Sequence, residues 1–247
     1  MPATPSWPPK SLPRLFVRKP LAQWTEVELD GAPAHYLGNV LRLKEGADLL
    51  VFDGQSGEWL AKIVLARKGR LKLSVERKTR EAETVPDIWL AFAPVKRSQT
   101  DWLVEKATEL GVARLIPVMT RRTVAERVKL ERLEAIAIEA AEQCGRTVLP
   151  QISEPLPLAR LLGERDSGRT LYFADEGGGK PAAEAFKGGP ALILIGPEGG
   201  FTEEERAAVR ASANAVPISL GPRILRAETA ALAALASWMS AVGDWRA

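Results

Sequence analysis

The sequence predicts a parallel α/β domain preceded by a small antiparallel β-barrel, and three observations predict it. In the first third, short segments of alternating apolar residues are separated by tight turns. Asp53-Gly54-Gln55-Ser56-Gly57 and Lys68-Gly69-Arg70 are both short enough for antiparallel hairpins. From residue 88 onward, short apolar runs alternate with helix-length segments, the rhythm of a parallel sheet covered on both faces. Two loops opening on Gly-Pro each follow such a run, at the strand ends where open α/β sheets hold ligands.

Barrel strands are expected at residues 14–18, 25–29, 48–53, 58–66 and 70–76, interrupted by a helix over 33–41. Along Leu71-Lys72-Leu73-Ser74-Val75-Glu76 the side chains alternate, which sends Leu71, Leu73 and Val75 inward. Four prolines among the first ten residues mark 1–13 as a flexible tail. A polar stretch ending at Pro86 sets a linker at 79–87, between a first unit of 14–78 and a second of 88–247. In the second unit, strands are expected at 88–93, 115–119, 170–174, 191–195 and 215–220. Helices are expected at 100–110, stopped by Gly111, at 130–144, ended by Gly145, at 158–162, at 203–211 and from about residue 228. Thr202 and Glu205 have the spacing of a capping box at the start of the fourth.

Composition narrows the function. The 247 residues are 46% hydrophobic and 26% charged, enough for a substantial core. A single cysteine, Cys144, excludes an intramolecular disulfide framework and a multi-thiolate metal site. His35 is the one histidine and lacks an HxxH or HExxH partner, so no metal is expected and a histidine-based hydrolase is disfavoured. Prolines stand where a signal peptide would carry its apolar core, and the alanine-rich stretch 227–242 contains Glu228. A cytoplasmic protein with no membrane partner is therefore expected. Residues 1–80 carry a net +6 and the remainder a net −3, a division suited to holding a polyanion on a basic first unit.

The chemistry-bearing candidates cluster late in the chain. Ile195-Gly196-Pro197-Glu198-Gly199-Gly200-Phe201 and Leu220-Gly221-Pro222-Arg223-Ile224-Leu225-Arg226 match neither GxxxxGK[ST] nor GxGxxG. That weakens a mononucleotide phosphate site and leaves open an adenosine-type ligand held by backbone amides and apolar walls. Arg223 and Arg226 lie beside the start of the last helix, which Glu228 or Thr229 could simply cap. Arg226 pairing with Glu228 is the purely structural alternative. A second basic cluster, residues 114–132, has a local net of +4, and Arg14, Arg18, Lys19, Arg42 and Lys44 add cations to the first unit. Cys144 reads as helix-end packing, and His35 as a seat for the short helix. Asp175 is the one obvious strand-end carboxylate for a phosphotransferase.

Taken together, the motifs resemble the 16S rRNA uracil-N3 methyltransferases. The resemblance rests on His35-Tyr36-Leu37-Gly38-Asn39-Val40-Leu41-Arg42, Phe52-Asp53-Gly54, Glu105-Lys106-Ala107-Thr108-Glu109-Leu110-Gly111-Val112 and Ala141-Glu142-Gln143-Cys144-Gly145-Arg146. Its strongest part is the pair of glycine loops, the second running into Ala227-Glu228-Thr229-Ala230. It implies a PUA-like N-terminal β-barrel and a C-terminal SPOUT-type parallel sheet with a deep trefoil knot. It further implies a homodimer that transfers a methyl group from S-adenosyl-L-methionine to N3 of a uridine in 16S rRNA of the assembled small ribosomal subunit.

By the same resemblance the cofactor is held by Leu194, Ile195, Gly196, Pro197, Glu198, Gly199, Gly200, Leu220, Gly221, Arg223, Ile224, Leu225 and Thr229. Arg226 and Glu198 are the candidates for catalysis. Arg14, Arg18, Arg42, Arg121, Arg122 and Arg146 are the candidates for RNA binding. The competing readings are a non-catalytic RNA-binding assembly factor and another nucleotide-using α/β enzyme.

Overall fold

The computed structural model describes residues 12–67, 69–124 and 127–246. The expected tail lies almost wholly outside them. The chain divides into two compact units: one runs to Thr84 and takes in Ala141–Val148, and the other comprises Val85–Ala140 and Leu149 onward.

The first unit is a five-stranded sheet of β1 (Arg14–Phe16), β2 (Glu26–Leu29), β3 (Asp48–Phe52), β4 (Glu58–Arg67) and β5 (Arg70–Arg80), in the order β1-β3-β4-β5-β2. Only β1 and β3 pair in parallel; the other neighbours are antiparallel. Leu71, Leu73 and Val75 are buried, as their alternation predicts. β5 continues through Thr79 and Arg80, so the irregular segment starts later than the expected linker. The Asp53 turn is held by its own carboxylate, which accepts from the amides of Leu21, Gln55 and Ser56 at 2.7–2.9 Å. Burial pushes the Asp53 pKa up, and these hydrogen bonds overcome that to leave it below the ordinary value.

The helix expected at 33–41 is α1 (Gly31–His35) followed by a π-helical turn, Tyr36–Val40. Ala34 and Leu37 seat it on the sheet, whereas His35 is exposed. The seat assigned to His35 is therefore made by its apolar neighbours.

The second unit is a parallel sheet. Its main strands are β6 (Ile88–Phe92), β7 (Arg114–Met119), β10 (Thr170–Ala174), β12 (Ala191–Ile195) and β13 (Ala215–Ser219). Two-residue strands β8 (Gln151–Ile152), β9 (Leu156–Pro157) and β11 (Lys180–Pro181) pair at its edges, in the order β11-β13-β10-β12-β6-β7-β8 with β9 also on β7. All five residues of β12 are buried, as a strand covered on both faces requires.

Helices α2 (Arg97–Glu109), α3 (Leu130–Cys144), α5 (Ala182–Ala185) and α7 (Ala227–Val242) contribute to the core on one face. Helices α4 (Leu158–Glu164) and α6 (Glu203–Ala211) contribute to the core on the other. Alanines 230, 231 and 234 let α7 lie close against the sheet, with Leu235, Trp238 and Met239 filling the space beyond. No helix among the described residues is long and apolar enough to cross a membrane.

Candidate active site

Strands β12, β10 and β13 are neighbours, so the loops leaving their carboxyl ends converge. They enclose a cavity of about 330 Å³, within the size range of small-molecule sites. The first glycine loop closes on itself where the Gly200 amide donates to the Pro197 carbonyl at 2.8 Å. It then enters α6 through the expected capping box: Thr202 Oγ1 accepts from the Glu205 amide, and the Glu205 carboxylate accepts from the Thr202 amide.

The two key glycines are required for different reasons. A Cβ on Gly196 would meet the ring of buried Phe201 at 3.0–3.3 Å, so the loop passes over an aromatic floor. Gly221 has φ +107 with open space around it, so backbone conformation rather than room selects glycine. Ile195, Ile218, Leu220, Leu225 and Ala230 give the cavity apolar walls, while Glu176, Glu198, Arg206 and Arg223 supply charge. Apolar walls beside carboxylates, cations and backbone of an open glycine loop suit a ligand joining a flat base to a charged tail, as S-adenosylmethionine does.

Several candidates occupy other places. Leu194 is fully buried in the core beneath the loop, and Gly199 and Thr229 lie outside the cavity wall. Gly199 still contributes, because its carbonyl accepts from Arg122 Nη1 at 2.7 Å. Arg122 thereby ties the segment after β7 to the first glycine loop. Arg121 supports it with a backbone donation to Glu205 Oε1 at 2.8 Å, its own side chain remaining exposed.

Arg226 is the exposed N-cap of α7 and does not line the cavity; Arg223 does. The simple Arg226–Glu228 pair is absent among the described residues. Glu228 is 7% exposed, and its Oε2 is buried without a hydrogen-bond partner.

Two of the RNA-binding candidates are consumed internally. Arg14 donates to Glu58 Oε2 at 2.7 Å and to the carbonyls of Ala141, Glu142 and Arg146 at 2.7–2.9 Å. These carbonyls lie in the last turn of α3 and just past it, where the helix end attracts cations. Arg146 is itself only 5% exposed and faces Glu83 at 3.4 Å. Neither presents its charge to a phosphate. Arg18 and Arg42 are exposed, and Arg42 holds a positive φ of 56 just after the π-helical turn.

The structure gives Asp175, the buried carboxylate just after β10, a different part from the phosphotransferase ligand that the sequence suggests. Its carboxylate is held by Arg210 at 2.5–2.8 Å, by Arg206 at 3.3 Å and by the Gly177 amide at 2.8 Å. Two guanidinium groups neutralise it, which removes the carboxylate a metal-dependent phosphotransferase would need. Its place on the cavity wall instead makes it the anchor that aims Arg206 at the ligand space.

Residues 81–239 match the family described as RNA methyltransferase domain, and residues 29–76 match the RNA methyltransferase PUA domain. The chain is 33% identical to ribosomal RNA small subunit methyltransferase E of Rickettsia conorii, over 90% of this chain and 93% of that protein. It is 31% identical to the protein of that name from Bacillus subtilis, over 85% and 88%. The crystal structure of ribosomal RNA small subunit methyltransferase E from Neisseria gonorrhoeae bound to S-adenosyl methionine superimposes with a TM-score of 0.86. That match has 29% identity and covers 95% of this chain and 99% of that one.

Proposed function

Because the chain belongs to the RNA methyltransferase family, we propose that this S-adenosylmethionine-dependent rRNA methyltransferase acts on N3 of one uridine in 16S rRNA. The proposed substrate is the assembled small subunit in the cytoplasm, and the working form is a homodimer. The observation that carries the reading is the convergence of both glycine loops on one cavity at the ends of neighbouring strands. The reading brings with it the trefoil knot of SPOUT-type domains.

The bound cofactor supplies an activated methyl group, so the protein's own task is positioning and charge. Ile195, Gly196, Pro197, Gly200, Leu220, Gly221 and Leu225 hold the ligand on the cavity wall. Uridine N3 carries a proton in its neutral form and must lose it. Glu198, exposed on the cavity wall, stands as the acceptor for that proton. Arg226 supplies positive charge for the resulting uracil anion from the amino end of α7, where helix N–H groups add to the same field. Exposed Arg18, Arg42 and Arg121 contact RNA phosphates.

The test is to incubate the protein with labelled cofactor and unmethylated small subunits, then map the modified nucleoside by mass spectrometry. N3-methyluridine at a single position is expected. A methyl group on ribose, or on another base, would overturn the N3 assignment.

The glycines give a second expected outcome. Gly196→Val drives a side chain into Phe201, and Gly221→Val forces a β-branched residue into positive φ, a strain of about 1–3 kcal/mol. Because the ligand needs the loops in these conformations, each variant should lose about 5- to 100-fold in calorimetric cofactor affinity, every 1.4 kcal/mol being tenfold. Unchanged affinity in both would place the cofactor elsewhere.

A further inference from the structure

A second cavity, also of about 330 Å³, lies in the same unit and is independent of the cofactor cavity. It opens between the loop that leaves β6, the start of α2 and the start of α3. Its floor is apolar, made by Val95, Val128 and Leu133, and Val124 on its wall is 78% exposed. Among the described residues five cations line it against one carboxylate, that of Asp101.

That carboxylate is already committed. Arg132 grips Asp101 with two donors at 2.5 and 2.9 Å, which fixes one wall and leaves a surplus of charge. The remaining cations, Lys96, Arg97, Arg127 and Lys129, are exposed and have no carboxylate partner among the described residues. The loop beneath them is tied to α2: Thr100 Oγ1 bonds both the amide and the carbonyl of Val95 at 3.1–3.2 Å. A solvated charged face needs neither a cavity nor an apolar floor. Cations with no carboxylate partner among the described residues, set around an apolar recess, suit a ligand with a flat apolar part and a phosphate.

Position selects which ligand. β6 and β12 are adjacent strands, and both cavities open at carboxyl ends of the same parallel sheet. At about 4.8 Å per strand, the span from β10 to β7 is about 15 Å, within reach of a short run of single-stranded RNA. Arg122, bonded to the first glycine loop, belongs to the segment between β7 and α3 that reaches the second cavity.

We infer that this cavity receives a nucleotide flanking the methylated one, its base against Val95, Val124 and Val128 and its phosphate between Lys96, Arg97, Arg127 and Lys129. The inference rests on the reading that the chain acts on rRNA, but not on which atom is methylated. It makes the second cavity a positioning subsite, since seating the neighbour fixes how the target base is presented to the first.

The test uses the full chain and three variants: Lys96→Ala/Arg97→Ala, Arg127→Ala/Lys129→Ala, and Val124→Asp. Binding to purified unmethylated small subunits is titrated at several salt concentrations, with cofactor affinity, oligomeric state and melting followed in parallel. Each double variant should lose about tenfold in affinity at low salt. The slope of log affinity against log salt should flatten by about 0.7 for each lost phosphate contact. Val124→Asp should weaken binding by inserting a negative charge on an exposed site that folding does not use.

Cofactor affinity should stay unchanged in all three. Subunit affinity within twofold of the parent and an unaltered salt slope would overturn the subsite. So would an affinity loss that tracks a change in oligomeric state, which would make this face an interface between copies. Should the methyl group map to an atom other than N3 while these binding losses occur, the subsite stands and only the N3 assignment falls.

Discussion

Arg226→Ala is expected to slow single-turnover methyl transfer by about 100-fold while leaving cofactor affinity within a few-fold, the scale of losing one preorganised electrostatic group. Position argues for that split. Arg226 caps α7 outside the cavity wall, so cofactor binding does not draw on it. No ion pair or side-chain hydrogen bond within the described residues occupies it, unlike Arg206 and Arg210, paired with Asp175, or Arg122, bonded to the Gly199 carbonyl. Its benefit therefore appears only as negative charge develops on the uracil. Arg223 faces the cavity itself, so Arg223→Ala should show the opposite pattern, a weakened cofactor Kd with a smaller effect on the saturated rate. Arg226→Lys should recover part of the rate, because a point charge lacks the planar fork of guanidinium. Rapid-quench transfer at saturating cofactor and subunit, with calorimetry alongside, separates these outcomes. A near-parental rate for Arg226→Ala would remove it from the catalytic set and leave positioning by the loops as the mechanism.

The parallel strands were legible because each is a run of about five apolar residues, and a strand buried on both faces has little freedom to look otherwise. Helix α3 was legible at its carboxyl end because Gly145 stops it. The two-residue strands β8, β9 and β11 were not, since so short a segment carries no periodicity and becomes a strand only by finding an edge. The site shows the same division. Each glycine loop could be read alone, but their meeting depends on β10 lying between β12 and β13, and strand order leaves no local mark. Asp175 could be read as a strand-end carboxylate but not as an arginine-paired one, because the arginine that holds it most closely is 35 residues away. Arg14 and Arg146 misled because formal charge does not reveal whether a cation faces a phosphate or a helix end.

The buried network that claims Arg14 gives the largest expected effect on stability. Glu58 is 4% exposed and binds two guanidinium groups: Arg14 at 2.7 Å and Arg80 at 2.8–3.0 Å. Thr79 Oγ1 adds a donor at 3.1 Å, and Arg80 also reaches the Gly145 carbonyl at 2.8 Å. Burial pushes the Glu58 pKa up, yet the hydrogen bonds from Arg80 and Arg14 overcome it and hold the carboxyl below its ordinary value of 4.5. A depressed folded-state pKa contributes stability that is fully present above the unfolded value and lost as pH falls through the folded one. The parent protein should therefore keep this contribution at pH 7 and lose it progressively below about 4.5.

Glu58→Gln keeps the shape and removes the charge, leaving Arg14 buried against a neutral amide. The cost should be about 3–5 kcal/mol at neutral pH, the scale of breaking one side of a buried pair. The variant should also lose the part of the acid-limb slope that Glu58 provides, because nothing remains at that position to titrate. Chemical unfolding of parent and variant across pH 3–7 reads both effects together. A change of less than about 1 kcal/mol at pH 7, with the acid limb intact, would mean that the arginines find equivalent partners in the carbonyls at the end of α3 and that the carboxylate is dispensable.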